Sequence, residues 1–401
     1  MNYLDTLLQG AEVEWKPLDS VFEIIAGGDV PKEAFSEIQT DEFNIPILSN
    51  GIDDKSLYGW TNISKIESPS LTISARGTIG WTSYRDKPFF PIVRLLVLTP
   101  IIKLNPKFAY YYMKTIEDKY NVPQNGIPQL TKPMVKDILF PIPYPKNPKK
   151  SLEIQKEIVR ILDTFTELTA ELTAELTARK QQYNYYRERL LMVNDKGLMV
   201  NGAKVEWKTL GELTSLITKG TTPKKYTESG ISFIKTEAFD GTYINTNKLS
   251  FIDEETHNKE LKRSILNHND ILITIAGATI GKCAIVPKEI LPANTNQALA
   301  IIRLNTEVNL KYVFHLIKSH YMSKYIELNI KGSAQPNLNL EQLNNFSIPY
   351  PSSEEQTRIV SILDKFDILT TSISEGLPKE IELRKKQYEY YRDLLLTFPK
   401  N

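Results

Sequence analysis

The chain has 401 residues, enough for two or more domains with separate cores. Its 49 Lys and Arg against 48 Asp and Glu exclude an indiscriminate coat for nucleic acid, but not a reader whose cations cluster on one face. The single cysteine, Cys283, excludes an internal disulfide framework and fits a reducing cytoplasm.

In chain order, the opening Met1–Trp15 lacks the basic end and apolar core of a signal peptide. No run approaches about 18 apolar residues, so no membrane-crossing helix is expected and the chain is read as cytoplasmic. The first globular stretch carries apolar, β-branched runs at Leu71–Ser74 and Ile92–Thr99, with turns at Ala26-Gly27-Gly28 and Asn50-Gly51. A short helix is predicted over Lys107–Lys119. The exit Phe140–Pro145 is Pro-rich, which stops sheet or helix from continuing and makes it a joint setting the domain's angle on the helix that follows.

From Ser151, placed as an N-cap, Ile154, Ile158, Ile161, Phe165, Leu168, Leu172 and Leu176 step by three and four. Tyr183, Tyr186 and Leu190 resume the stripe. With no Gly or Pro in Ser151–Met192, a helix of about 60 Å is expected. The second globular stretch has runs at Ile271–Ile275 and Ala298–Leu304, turns at Asp240-Gly241 and Lys331-Gly332-Ser333, and a helix predicted over Leu310–Leu328. A capping box, Ser352 with Glu355 or Ser353 with Gln356, opens a last stripe: Ile359, Leu363, Phe366, Leu369, Ile373, Ile381, Tyr388, Tyr391 and Leu395. Gly376-Leu377-Pro378 should break it midway. The fold class predicted is mixed α+β: two globular α/β domains separated by two long helices that pair as an antiparallel coiled coil.

The chain is also written twice. Val13-Glu14-Trp15-Lys16 returns as Val205-Glu206-Trp207-Lys208, Phe140–Pro145 as Phe346–Pro351, Ile158–Asp163 as Ile359–Asp364, and Arg179–Leu191 as Arg384–Leu396. The matches are dense at domain edges and along the helices. Between them only Arg76-Gly77-Thr78-Ile79-Gly80 against Gly277-Ala278-Thr279-Ile280-Gly281 survives. A repeated frame with diverged interiors suits two different binding surfaces. The same two motifs join within the chain as would join across its ends, so the repeat is circular and the termini should lie close together.

Catalytic and metal-binding patterns are missing from the sequence. His257, His268, His315 and His320 have neither i, i+4 spacing nor a Cys pair, so no zinc site is expected. Cys283 reads as a small buried hydrophobe. There is no phosphate-binding GxxxxGK[ST] loop, no Gly-rich strand–turn–helix of dinucleotide or methyl-donor type, and no Asn-Pro-Pro-aromatic segment to grip a flipped base.

Nucleic-acid features are local. Lys219, Thr221, Thr222, Lys224 and Lys225 share a Gly/Pro turn suited to phosphate, or form an ordinary solvated loop. Asn294, Asn296 and Gln297 offer amides that can bond adenine edges, or build a hydrogen-bonded turn. Gln129 and the pair Gln335 and Asn337 occupy comparable places in the two copies. Arg76 and Lys282 flank the shared turn that holds Thr78. Downstream of Thr78 and Thr279, Pro91–Arg94 is set against Asn294–Gln297, with Arg94 a substitute for the amides. Three readings stay open here: a noncatalytic DNA-specificity subunit, a DNA methyltransferase or nuclease with unrecognised motifs, and a noncatalytic coiled-coil scaffold that binds only proteins.

The paired Val-Glu-Trp-Lys openings, the Thr-Ile-Gly turns, the Gln-x-x-Ile-Val-x-Ile-Leu-Asp helix starts and the Arg-Lys-x-Gln-Tyr-x-Tyr-Tyr-Arg helix ends resemble the specificity subunits of Type I restriction–modification systems. The tandem repeat Thr169-Ala170-Glu171-Leu172 and Thr173-Ala174-Glu175-Leu176 is similar to the IC subgroup. The resemblance implies a first target recognition domain over 1–150, a spacer helix over 151–192, a linker over 193–204, a second target recognition domain over 205–351 and a C-terminal spacer helix over 352–397. It implies no catalytic group or cofactor in this subunit. The expected partners are double-stranded DNA, two adenine-methylating modification subunits using S-adenosylmethionine, and restriction subunits using ATP and Mg.

Overall fold

The computed structural model describes residues 3–8, 10, 12–123, 126–330, 337–372 and 375–399. The chain forms two compact units, Met1–Glu171 with Glu382–Asn401, and Leu172–Ile381.

The first unit contains α1 (Tyr3–Leu8), β1 (Val13–Pro17), β2 (Phe22–Ala26), β3 (Ile45–Leu48), β4 (Leu57–Thr61), β5 (Ser70–Ser74), β6 (Thr82–Arg85), β7 (Phe90–Pro91), β8 (Leu95–Pro100), α2 (Pro106–Lys114), α3 (Lys132–Val135) and β9 (Leu139–Pro143). An antiparallel sheet runs β2-β8-β5-β6, and a second runs β4-β3-β7 with β3 and β7 parallel. Every residue of β5 is buried, as its unbroken apolar and hydroxyl run requires of a central strand. The prolines of β9 sit in a two-stranded ladder with β1, where Trp15 faces Pro141 and missing N–H groups are tolerated. The run Ile92–Thr99 is not one strand: Arg94 adopts φ 73° and separates β7 from β8.

α4 (Pro148–Leu191) starts earlier than Ser151. Asn147 accepts from the Lys150 N–H at 3.1 Å and takes the capping role. Ser151 is buried instead. It accepts from Gln155, whose Oε1 accepts from the Asn105 N–H at 2.8 Å, tying the helix to the start of α2.

The second unit repeats this order with β10 (Glu206–Thr209), β11 (Thr214–Lys219), β12 (Ile231–Ile234), β13 (Phe239–Asp240), β14 (Tyr243–Ile244), β15 (Ser250–Ile252), β16 (Ile271–Thr274), β17 (Cys283–Ile285), β18 (Ala293–Thr295), β19 (Leu299–Leu304), α5 (Leu310–Ile317), α6 (His320–Ile330), α7 (Leu340–Asn344), β20 (Ser347–Tyr350) and α8 (Ser353–Thr371); α9 (Gly376–Leu396) begins in this unit and from Glu382 onward belongs to the first. Its sheets are β11-β19-β16-β17, β15-β12-β18 with β12 and β18 parallel, and β10-β20; the hairpin β13-β14 is an addition. The helix predicted over Leu310–Leu328 divides because Ser319 turns its hydroxyl onto Leu316 O and accepts from the Tyr321 N–H, ending one helix and capping the next. Cys283 is buried in the core, and burial pushes its thiol up to about 12.

Helices pair inside each unit. In the first, Phe165 of α4 stacks on Tyr391 of α9 at 5.1 Å; in the second, Tyr186 of α4 stacks on Phe366 of α8 at 5.6 Å. These are the same contact in the two copies, with the order of the two helices along the chain exchanged. α8 opens on Ser352, which accepts from the Glu355 N–H, and the stripe is broken between Thr371 and Gly376. Gly376 has φ 80°, and a Cβ there would meet Ile368 O at 2.6 Å. The turn at Lys331-Gly332-Ser333 and Ile373 lie outside the described residues. Within the first unit Trp15 donates to Pro399 O at 3.0 Å, which brings the two ends of the chain together.

A repeated geometry seats each domain on its helix. In the first unit Asp163 of α4 accepts from Tyr111 at 2.6 Å and Lys107 at 2.7 Å. In the second Asp364 of α8 faces His315 Nε2 at 3.0 Å, while His315 Nδ1 faces Tyr183 at 3.3 Å and Lys318 pairs with Asp367 at 2.9 Å. Burial holds the His315 ring below its ordinary value, against the pull of Asp364. These side-chain joints add to the Pro-rich exits in fixing each domain on its helix.

Candidate nucleic-acid interface

In the first domain, the loops that follow β3, β5 and β7 converge. The Ala75 N–H donates to Arg94 O at 2.8 Å, and the Leu130 N–H donates to Ala75 O at 2.9 Å. Arg76 Nε and Nη2 both donate to Gln129 Oε1, at 2.9 and 2.6 Å, which fixes the plane of the guanidinium. Asn50 Nδ2 donates to Arg76 O at 2.9 Å, and Ser49 Oγ to Val93 O at 3.1 Å. Arg94 projects to solvent from its left-handed backbone. The structure thus brings Arg76, Gln129 and Arg94 onto one edge and adds Asn50 to them. Thr78 is turned inward, with its hydroxyl buried and lacking a partner among the described residues.

In the second domain, the Lys219–Lys225 turn leaves β11 through Gly220. A Cβ there would fall on Asn296 O, just as one at Gly27 would fall on Ile92 O. The two glycines are one structural position: their N–H groups donate to Leu299 O and Leu95 O. The second leads in sequence into Lys224 and Lys225, whereas the first leads into Gly28 and Asp29, with Lys65 Nζ approaching Gly28 from another loop. The Thr221 N–H donates to Thr295 O at 2.9 Å, and the Thr222 hydroxyl is bonded to Gln297 Oε1. Lys219, Thr222, Lys224, Lys225 and Gln297 are exposed, and Asn296 is half-buried with its Oδ1 on the Ala298 N–H. Asn337 is exposed in a bridge with Ala276, the place that Gln129 and Arg76 take in the first domain. Lys282 is exposed immediately before β17. Gln335 lies outside the described residues.

Asn294 has no exposed surface. Its amide is consumed inside the domain by His257, Leu261 and Ser264, so it presents no group to a base edge. Strand register also shifts the alignment made from the shared turn. Pro91 pairs with Leu48 where Thr295 pairs with Ile234, so Phe90 stands at the place of Asn294.

Sequence reasoning missed Asn50 and the segment Lys259–Arg263. Arg263 Nη2 donates to Thr221 Oγ1 at 3.1 Å, and Lys224 pairs with Glu260 at 3.3 Å, so this segment shares the face of the basic turn. Three cations in five residues were the available signal, diluted by Glu260 and the neighbouring Glu255. Among the described residues, no group of three or more His, Cys, Asp or Glu is arranged to hold a metal ion. The faces offer guanidinium and ammonium groups beside amides, the chemistry of phosphate and base-edge contacts.

The family model described as "Type I restriction modification DNA specificity domain" matches the chain twice, over residues 11–179 and 203–383. The specificity subunit of the Type I restriction enzyme EcoR124I/EcoR124II of Escherichia coli is 35% identical, covering 100% of this chain and 98% of that protein. A putative Type I restriction enzyme specificity subunit of Haemophilus influenzae, S.HindORF215P, is 33% identical over 99% of this chain and 98% of its own length. The crystal structure of the Type I restriction–modification S subunit from M. genitalium shares the fold, with a TM-score of 0.59 at 20% identity, covering 98% of this chain and 97% of that one. With the model matching both halves and the relatives matching end to end, the chain belongs to the family of Type I restriction–modification DNA specificity subunits.

Proposed function

We propose that this subunit reads a bipartite, asymmetric DNA sequence, one half with each target recognition domain, and contributes no catalytic group. The first domain would span 1–150 and the second 205–351, with 193–204 as linker. The helices over 151–192 and 352–397 would serve as spacer and as docking surface for two modification subunits. S-adenosylmethionine would bind those subunits, and ATP and Mg the restriction subunits. The assembly would then act as an adenine-N6 methyltransferase and ATP-dependent endonuclease in the cytoplasm of a bacterium or archaeon.

The observation that carries this reading is a shared frame with unlike faces. Arg76 with Gln129 stands where Ala276 with Asn337 stands, and Gly27-Gly28-Asp29 where Gly220-Thr221-Thr222 leads into Lys224 and Lys225. A protein-only scaffold has no need for this contrast. Arg94, Lys219, Thr221, Thr222, Lys224, Lys225, Lys282, Asn296, Gln297, Gln335 and Asn337 remain candidate contacts. The assembled complex should bind its cognate duplex more tightly than random duplexes in a competition assay; equal binding would end the reading.

The IC-like subgroup rests on the tandem Thr169–Leu172 and Thr173–Leu176 units, which lie within α4 with Leu172 and Leu176 half-buried. Each unit adds about 6 Å and turns the helix by about 40°. Deleting one should change the gap between half-sites by one or two base pairs and leave the half-sites intact. Altered half-sites with an unchanged gap would contradict it.

A further inference from the structure

We infer that His257 and Asn294 are positioning residues for the second half-site: buried, off the DNA, and responsible for holding the cationic segment Lys259–Arg263 on the reading face. The inference rests on the proposal that this domain reads DNA.

Asn294 sits at the centre of β18 and bonds to the middle of the segment and to a residue on either side of it. Its Nδ2 donates to Leu261 O at 3.0 Å and to Ser264 Oγ at 3.2 Å, and its Oδ1 faces His257 Nδ1 at 2.5 Å. A backbone carbonyl only accepts, so the amide nitrogen must face Leu261 and the amide oxygen must face the histidine. His257 Nδ1 therefore carries the hydrogen. The segment is closed at its far side by Asp253, which accepts from the Thr256 N–H at 2.7 Å, and at its near side by the Ile265–Asn294 bridge.

The same strand anchors the basic turn, because Thr295 O accepts from the Thr221 N–H. One strand thus sets the distance between two sources of positive charge. Lys219, Lys224 and Lys225 come from the turn, and Lys259, Lys262 and Arg263 from the segment; all six are exposed. Lys224–Glu260 and Lys259–Glu255 are exposed ion pairs, which stabilise little and can exchange a carboxylate for a phosphate. The first domain has no such device: Phe90 occupies the place of Asn294, and the chain between β4 and β5 is residues 62–69 against 253–270 between β15 and β16. The first half-site is therefore an internal control.

The test uses the complex assembled with modification subunits. Binding is compared for the cognate duplex, a duplex scrambled in the first half-site and one scrambled in the second. His257→Phe keeps the ring and removes the donor. It should reduce discrimination at the second half-site about tenfold and leave the first unchanged. Arg263→Ala should do the same. His257→Asn, which restores an N–H near the Nδ1 position, should recover most of the loss. Intact second-half discrimination in His257→Phe, or in Arg263→Ala, would overturn the inference. So would equal loss at both halves, which would mark the pair as general supports of the fold. If the unaltered complex discriminated at neither half-site, the DNA-reading proposal itself would fall, a result distinct from each of these.

Discussion

At one place in the frame, Ser70 of β5 and Thr99 of β8 share a hydrogen bond of 2.8 Å; at the same place in the second domain, Asp270 and Arg303 form an ion pair of 2.8 Å. Both pairs join the centre strand to its neighbour. The hydroxyl pair is uncharged and contributes about 1 kcal/mol. The ion pair buries Asp270 almost completely, so its net contribution is small while losing one partner is severe. The strands keep their register through the exchange because each alternative is satisfied. This is how a repeated scaffold can carry different polar groups: what is retained is the geometry of the bond, and the residue types are free to change.

The sharpest way to break the comparison is to remove one partner from each pair. Arg303→Leu should destabilise the second unit by about 3–5 kcal/mol, whereas Thr99→Val should cost the first only about 1 kcal/mol. Hydrogen exchange, read separately in each unit, checks the contrast. Replacing both Arg303 and Asp270 by apolar residues should recover much of the loss, and failure to recover would mean that the pair does more than satisfy itself.

The joints between domain and helix differ in a second, smaller way. Tyr111 on Asp163 stays protonated, since burial raises its pKa further above an already high value. His315 on Asp364 titrates. Burial holds its folded-state pKa below the ordinary value of about 6.5, so the unfolded chain takes up the proton first. Its contribution to stability is complete above about pH 6.5 and declines as the pH falls below that value, by at most about 1.4 kcal/mol per pH unit. Thermal melts should therefore show the second unit losing stability on mild acidification through this ring. His315→Tyr, which imports the partner used by the first unit, should flatten that part of the profile. An unchanged profile would exclude His315 as its source.

The smallest effect expected is at the surface. Lys262→Ala should lower the salt dependence of binding by about 0.9 in log–log slope if Lys262 meets one phosphate, and should weaken binding to all sequences alike. A change confined to one base position would instead make Lys262 a base reader.

The frame was legible in the sequence because its signals are local or repeated. The Val-Glu-Trp-Lys openings are β1 and β10, the Pro-rich exits are their partners β9 and β20, and the apolar steps trace the long helices. Less local features were not legible. Asn147 and Ser151 are both good caps, and only the packing of Ser151 against Gln155 decides between them. The break at Arg94 needs a backbone angle that residue type does not impose on arginine. Asn294 and Gln297 look alike as amides, yet one is buried and the other exposed, because pairing with β12 turns the first into the domain. The approach of Lys259–Arg263 to the basic turn depends on that same buried amide.

The most direct measurement is a map of methylated adenines left by the complex assembled on this subunit. A two-part motif with unlike halves separated by a gap of fixed length is expected. A single continuous motif, or two identical halves, would contradict it.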